Sequence, residues 1–375
     1  MLFRSFSKRK DTSKLKLNWE GEQIDRVQSY MYLGVPFTEQ LNFEFVKDYF
    51  KAKSQTALRE LESLVFRSKM NNFSSILSLF HSLVRSVFSY CSEIWGVNFA
   101  DCFERLRLKF LKSLFLLPQT IPAFFLRLEL GLKTSEIFFL KLCLKFIAKV
   151  TSSDKDSLMY KAYNTMKKSS NFKKCWYNQV QNLCKTWDCE YMLDIANDSK
   201  LSAWSKIIKI NVNLAKIEND SISKDICNMQ KTKLLSLYRS NKTHCISEAY
   251  LSEHYNWSIK QLILQLKLGI SHITNKGKVA RLRSLEYMYG KFEDSKCPLC
   301  GRDDEDTYHL LFKCPHYEIE RRKYVYPTSS LYPDLNEHNY LQMFNNLDKT
   351  KALSLYYFFN CCLTRRRMYI EEMGE

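Results

Sequence analysis

A chain of 375 residues is long enough for two or three domains, each with its own core. Hydrophobic residues make up 45% and aromatics 14%, which excludes wholesale disorder, and 9 Gly with 7 Pro disfavour a turn-rich β protein. The 57 Lys and Arg outweigh 40 Asp and Glu by a formal +17, a balance that attracts nucleic acid or an anionic membrane surface and leaves the fold open. The 13 Cys are odd in number and scattered, and "MLFRSFSKRKDTSKLKL" lacks the apolar run of a secretory signal. Reduced thiols in an intracellular compartment, nuclear or cytoplasmic, are expected.

Strand patterns come first. "KLKLNWEGEQIDRV" reads as two strands about a Glu20-Gly21 turn, and "SYMYLGVPF" (29–37) as a third strand ended by Pro36. Three short strands bury no core alone, so residues 1–40 call for a partner along their edges. Helices follow. Over 42–66, Val46, Phe50, Ala57, Leu61, Leu64 and Val65 share one helical face. Over 73–95, Ile76, Phe80, Leu83, Val84, Val87, Cys91 and Trp95 do the same, and Gly96 stops the run. A third helix covers 103–117 and ends at Pro118, "PAFFLRLELG" forms a short one ending at Gly131, and a fifth runs from Thr134 to Val150. Lys141, Lys145 and Lys149 recur every four residues along the fifth, which makes it a core helix with a charged stripe and not a membrane span.

These elements make 41–150 a helical bundle. "TSSDKD" (151–156) reads as a linker opening a polar, Lys-rich helical region that runs to 256. A second compact unit spans 257–332, and a final helix over about 348–370 occupies the C-terminal segment 333–375. The expected fold is mainly α: a helical bundle with a small N-terminal β element and a C-terminal metal-bound domain.

The metal comes from "CPLCGRDDEDTYHLLFKCPHY", which sets Cys297, Cys300, His309 and Cys314 at C-x2-C-x8-H-x4-C spacing. A thiolate pair two residues apart wraps one ion in a tight turn, and Gly301 permits the reversal. "DTYHLLFKCP" reads as a short helix started by Asp306 or Thr307 and stopped by Pro315. An unbroken α-helix aims His309 and Cys314 apart, so it must loosen at its end. Three thiolates and an imidazole suit tetrahedral Zn²⁺ with no open position, hence a structural site. His316 reads as an exposed neighbour, and Cys184 and Cys189 as ordinary thiols. Flanking cations, namely Lys276, Lys278, Arg281, Arg283, Arg321, Arg322 and Lys323, suit phosphates, and the interleaved Tyr287 and Tyr289 suit unpaired bases.

The order of these segments resembles the C-terminal part of non-LTR (LINE-type, jockey-like) retrotransposon reverse transcriptases. "RVQSYMYLGV" is similar to the end of the family's palm, "FSYCSEIWG" and "LELGL" to its thumb and post-thumb helices, and "LILQLKLG" with "CPLC…HLLFKCPHY" to its Cys-Cys-His-Cys knuckle. The resemblance implies a palm remnant in 1–40, a thumb-like bundle in 41–150 and a nucleic-acid-binding knuckle domain in 257–332 that engages RNA and DNA. It also implies a primer-grip-like role for Tyr32, Leu33 and Gly34. The family's Tyr-x-Asp-Asp turn is missing; the single Asp-Asp pair, Asp303-Asp304, lies in the knuckle loop. Two-metal phosphoryl transfer needs such carboxylates, so no catalytic residue is assigned and no polymerase activity is expected from this chain alone. It reads as a fragment whose palm and fingers are missing. The competing reading is a zinc-stabilised protein-interaction module, with another protein along residues 1–40.

Overall fold

The computed structural model describes residues 4–5, 17–19, 21–38, 43–119, 121–168, 175–231, 248–253, 255–268, 272–275, 278–281, 296–303, 307–329, 340–344 and 347–372. It is mainly helical with a small N-terminal β element, in line with the sequence pattern. Among the described residues no helix is long and apolar enough to cross a membrane.

β2 (Leu17–Trp19) and β3 (Glu22–Arg26) pair antiparallel with Trp19 opposite Glu22, around Gly21 at φ 85°. β1 (Arg4–Ser5) joins β3 in parallel. The expected third strand is instead a hairpin of β4 (Ser29–Tyr32) and β5 (Val35–Thr38), with Tyr32 opposite Val35. Leu33 at φ 47° and Gly34 at φ 80° place two successive residues in the left-handed region, which closes a two-residue turn matched to the strand twist. Pro36 lies inside β5 opposite Met31, one step beyond the Tyr32–Val35 pair that closes the turn. Pairs at that step exchange no ladder hydrogen bonds, so its missing N–H costs the sheet nothing.

The chain divides into two compact units, each drawn from separated stretches rather than consecutive domains. The first comprises Met1–Leu64, Ser78–Leu106 and Thr134–Asn219. Its central helix, Ser135–Val150, is capped by the Thr134 hydroxyl and buries Ile137, Leu140, Cys143, Leu144 and Ile147. Val180, Cys184, Cys189, Met192 and Leu214 complete that cluster, so helices Trp176–Thr186, Tyr191–Asn197 and the start of Ala203–Lys231 belong to a core rather than a linker. "TSSDKD" opens on a packed turn. Thr151 donates to the Ala196 carbonyl at 2.6 Å, and Lys206 donates to the Thr151 and Ser152 hydroxyls at 2.8 and 3.0 Å. Lys206 is fully buried, and a buried ammonium requires such acceptors.

Helix Glu44–Arg67 buries Val46, Phe50, Leu61 and Val65 as its periodicity predicts, but Leu64 is exposed and Leu58 takes the inward position. The helix expected over 73–95 is broken. A π-helical turn over Phe80–Arg85 shifts its register, leaving Leu83 exposed between buried Phe80 and Val84. The run ends at Phe88, and the chain reverses at Cys91, φ 53°, before a short helix Ser92–Trp95. Trp95 stacks on Phe50 at 5.3 Å and donates its indole N–H to the Tyr90 carbonyl. Gly96 is required by a close approach: a Cβ there would lie 2.7 Å from Ser92 and 2.9 Å from the Phe139 ring.

The second unit comprises Val65–Leu77, Arg107–Lys133 and Asp220–Glu375. Helix Ala123–Leu130 ends at Gly131, whose left-handed φ of 64° turns the chain so that the Leu132 N–H returns to the Arg127 carbonyl at 2.8 Å. Glu129 in this helix is fully buried and receives Lys267 at 2.8 Å and the Tyr250 hydroxyl at 3.1 Å. The words "LELGL" and "LILQLKLG" are thus joined by a buried ion pair. Helix Trp257–Lys267 also supplies Trp257, Gln261 and Gln265, which donate to the carbonyls of Leu114 and Phe115 and so satisfy the end of helix Ala100–Leu114. Helix Lys349–Glu372 packs on Trp257–Lys267 and buries Leu355, Phe358, Phe359 and Cys362.

Candidate metal centre

The first half of the centre is a turn. The Gly301 amide donates to the Cys297 carbonyl at 2.8 Å, and Gly301 takes the left-handed φ of 63° that the reversal needs. The Cys297 amide donates to the Asp303 carbonyl at 2.8 Å, closing the loop. Amides of Leu299 and Cys300 are directed at the Cys297 sulfur, and that of His316 at the Cys314 sulfur, an arrangement that favours thiolates.

The second half solves the five-residue spacing. Thr307 and Tyr308 start a helix that widens at once into a π turn over His309–Lys313. The Cys314 amide bonds to the His309 carbonyl at 2.8 Å, five residues back, so the widened turn brings both side chains to one side. Cys314 then leaves the helix in an extended conformation before Pro315. The loosening expected at the helix end is present, and it begins at His309 itself.

The four donor atoms lie within 4.8 Å of one another. Cys297 Sγ is 3.9 Å from Cys314 Sγ, and Cys300 Sγ is 3.4 Å from His309 Nε2. A tetrahedron with metal–sulfur bonds of about 2.3 Å and a metal–nitrogen bond of about 2.0 Å has edges of roughly 3.8 Å (S···S) and 3.5 Å (S···N). The donors therefore fit an ion of that size. Cys297 and Cys314 are fully buried and His309 nearly so, while Cys300 is half-buried. The hydrogen bond between the two buried sulfurs pushes the Cys297 thiol up and Cys314 down, as when one proton serves two sulfurs. A cation would take that proton's place. Asp303 Oδ2 stands 3.5 Å from His309 Nδ1, where a carboxylate orients a ligating imidazole. Among the described residues this is the one group of at least three His, Cys, Asp or Glu placed to hold a metal ion.

No protein-family model, curated protein or solved structure matches the chain.

The basic flanks separate on inspection. Arg321, expected to meet phosphate, is 2% exposed. Its guanidinium donates to the carbonyls of Leu310, at 3.2 Å, and Cys314, and pairs with Glu318 at 3.1 Å. It is a buttress beneath the metal loop, because those two inward carbonyls need a forked donor. Arg322 is 75% exposed and spends one nitrogen on Glu318 at 3.0 Å, and Lys323 is exposed beside the Tyr324 ring. Lys278 and Arg281 lie on a strand, Lys278–Arg281, paired antiparallel with His272–Asn275. Lys276, Arg283, Tyr287 and Tyr289 lie outside the described residues, as does Asp306. His316 is exposed and is not among the donors, and its carbonyl accepts from Arg365 at 2.5 Å. Arg365 also pairs with Glu320 at 2.7 Å, fastening the C-terminal helix to the helical run that follows Cys314. The sequence signal for that docking was weak, a cation in "TRRR" with no local partner.

Tyr32, Leu33 and Gly34 form the tip of the β4–β5 hairpin in the first unit, with Tyr32 58% and Leu33 74% exposed. The Tyr90 hydroxyl donates to the Leu33 carbonyl at 2.9 Å and steadies the tip.

Proposed function

We propose that this chain is the nucleic-acid-binding C-terminal region of a reverse transcriptase of the non-LTR retrotransposon type, with a structural Zn²⁺ held by Cys297, Cys300, His309 and Cys314. The observation that carries the reading is the assembled four-donor centre with exposed cations, Arg322 and Lys323, on the helical run directly after it. The formal charge of +17 supports an anionic partner, RNA or DNA. The ion would serve as a cross-link between the turn and the widened helix. With all four positions taken by protein, the centre offers binding geometry and not an activated water. The residues here bind; none is assigned to phosphoryl transfer.

A second reading, a zinc-stabilised protein-interaction module, is favoured by the exposed apolar tip of the β4–β5 hairpin, where Met31 is 46% exposed beside Tyr32 and Leu33. Titrating the protein into labelled RNA and DNA oligonucleotides at a series of salt concentrations separates the two. Nucleic-acid binding should show a log–log salt slope of about −0.7 to −0.9 per phosphate met. No binding at low salt would overturn the first reading. Elemental analysis of protein purified under reducing conditions should give one zinc per chain, and its absence would overturn the metal assignment.

A further inference from the structure

Downstream of the metal loop, the chain forms one helical run from Pro315 to Ser329, and helix Lys349–Glu372 lies against it. The two outward faces share a chemistry. On the first, Arg322 and Lys323 are exposed and Tyr326 is 40% exposed; on the second, Tyr357 is 52% exposed, and Arg365 reaches across to Glu320. Tyr324 and Tyr357 meet across the seam, ring centroids 6.4 Å apart and planes 34° apart. The Lys323 ammonium stands 4.9 Å over the Tyr324 ring. Both nearby carboxylates are matched, Glu318 by Arg321 and Arg322 and Glu320 by Arg365. Lys323 has no carboxylate partner among the described residues, and neither do the terminal nitrogens of Arg322.

We infer that this seam is a binding site for unpaired nucleotides, with Tyr357 as the stacking platform and Lys323 and Arg322 as phosphate contacts. The inference rests on the nucleic-acid reading and adds a strand type and a new element, the C-terminal helix. An exposed ring face stacks on bases only where they are unpaired, and cations beside it meet the backbone of the same strand. The two tyrosine rings already touch, so a base stacks on the outward face of Tyr357 and not between them. Charge decides against an apolar partner: an apolar docking face would not keep the Lys323 ammonium without a carboxylate beside the 75% exposed Arg322 side chain. Sequence spacing conceals the site, because Tyr324 and Tyr357 lie on different helices.

The test uses the full zinc-loaded chain with a labelled single-stranded oligonucleotide of mixed sequence and its duplex. Tyr357→Ala should weaken single-strand binding roughly 5- to 150-fold, the range for loss of one stacked base, and duplex binding less than about two-fold. Tyr357→Phe should keep wild-type affinity, and Lys323→Ala should flatten the salt slope by about 0.7. Tyr357 is half exposed, so the fold should survive, and ultraviolet cross-linking of the wild-type protein gives an independent readout. Cross-links should fall in peptides containing Tyr324 or Tyr357. Wild-type binding that is salt-sensitive but indifferent to these variants, with cross-links elsewhere, would overturn the seam and leave the broader reading standing. Equal loss on single strand and duplex would overturn the stacking role. No binding by the wild-type chain would remove the nucleic-acid reading itself and leave a protein partner.

Discussion

Arg321 and Arg322 are adjacent in sequence and opposite in consequence. Arg321→Ala removes donors from two carbonyls, Leu310 and Cys314, that face inward beneath the metal loop. Hydrogen bonds from a charged group contribute about 1.5–3 kcal/mol each, so losing both costs about 3 kcal/mol or more. Glu318, the third partner, is 36% exposed and regains water, so little of the loss falls there. A destabilisation of about 3 kcal/mol or more follows, whereas Arg322→Ala, at a 75% exposed side chain, should stay within about 0.5 kcal/mol. Because the Cys314 carbonyl belongs to one of the four proposed zinc donors, Arg321→Ala should also weaken zinc affinity about 10- to 100-fold. Urea denaturation followed by circular dichroism gives the first quantity, and zinc competition against a chromophoric chelator the second. If Arg321→Ala were as stable as Arg322→Ala, held its zinc and lost nucleic-acid affinity, Arg321 would be a phosphate contact and the buttress argument would fail.

Other perturbations test other parts of the molecule. Cys297→Ser or Cys314→Ser should abolish zinc binding and unfold the knuckle, since structural zinc contributes about 10–16 kcal/mol of apparent binding energy; elemental analysis and proteolysis of residues 296–329 report both effects. Gly96→Ala forces a Cβ within 2.7 Å of Ser92 and 2.9 Å of Phe139, so a loss of about 1–3 kcal/mol is expected in a thermal melt, and an unchanged Tm would show that the close approach can relax. Burial holds the fully enclosed Lys260 at about 8, against an ordinary 10.5. Between those values the unfolded chain keeps a proton that the folded chain has released, so stability should rise with pH across that window. Below about pH 8 both states are charged and the full penalty, on the order of 3 kcal/mol, is present. Lys260→Met should flatten this part of the stability–pH curve, and an unaltered slope would rule out Lys260 as its source.

What was legible in the sequence is what neighbouring residues enforce on one another. Apolar positions three and four apart specify helical faces, which is why helix Ser135–Val150 buries Ile137, Leu140 and Leu144 and turns Lys149 to water. Thr134 and Gly131 mark helix ends because a side-chain acceptor and a left-handed backbone are local needs. The four metal donors were readable for the same reason: Cys297 and Cys300 share a turn, and His309 and Cys314 share a helix end.

Tertiary structure decided the rest. Nothing local in "TSSDKD" distinguishes a linker from a turn; the buried ammonium of Lys206, which requires the Thr151 and Ser152 hydroxyls, makes it a turn. Leu33-Gly34 is a two-residue hairpin turn rather than mid-strand, and the Tyr90 hydroxyl, 57 residues away, steadies it by holding the Leu33 carbonyl. The π turn at Phe80–Arg85 moved Leu83 out of a face that simple periodicity had given it. Which of two adjacent arginines is buried depends on what their helix packs against, here the metal loop on one side of Arg321 and solvent around Arg322. A residue's helical phase is written in the sequence around it, but the surface that phase meets is supplied by distant segments, and burial, charge pairing and function follow from that surface.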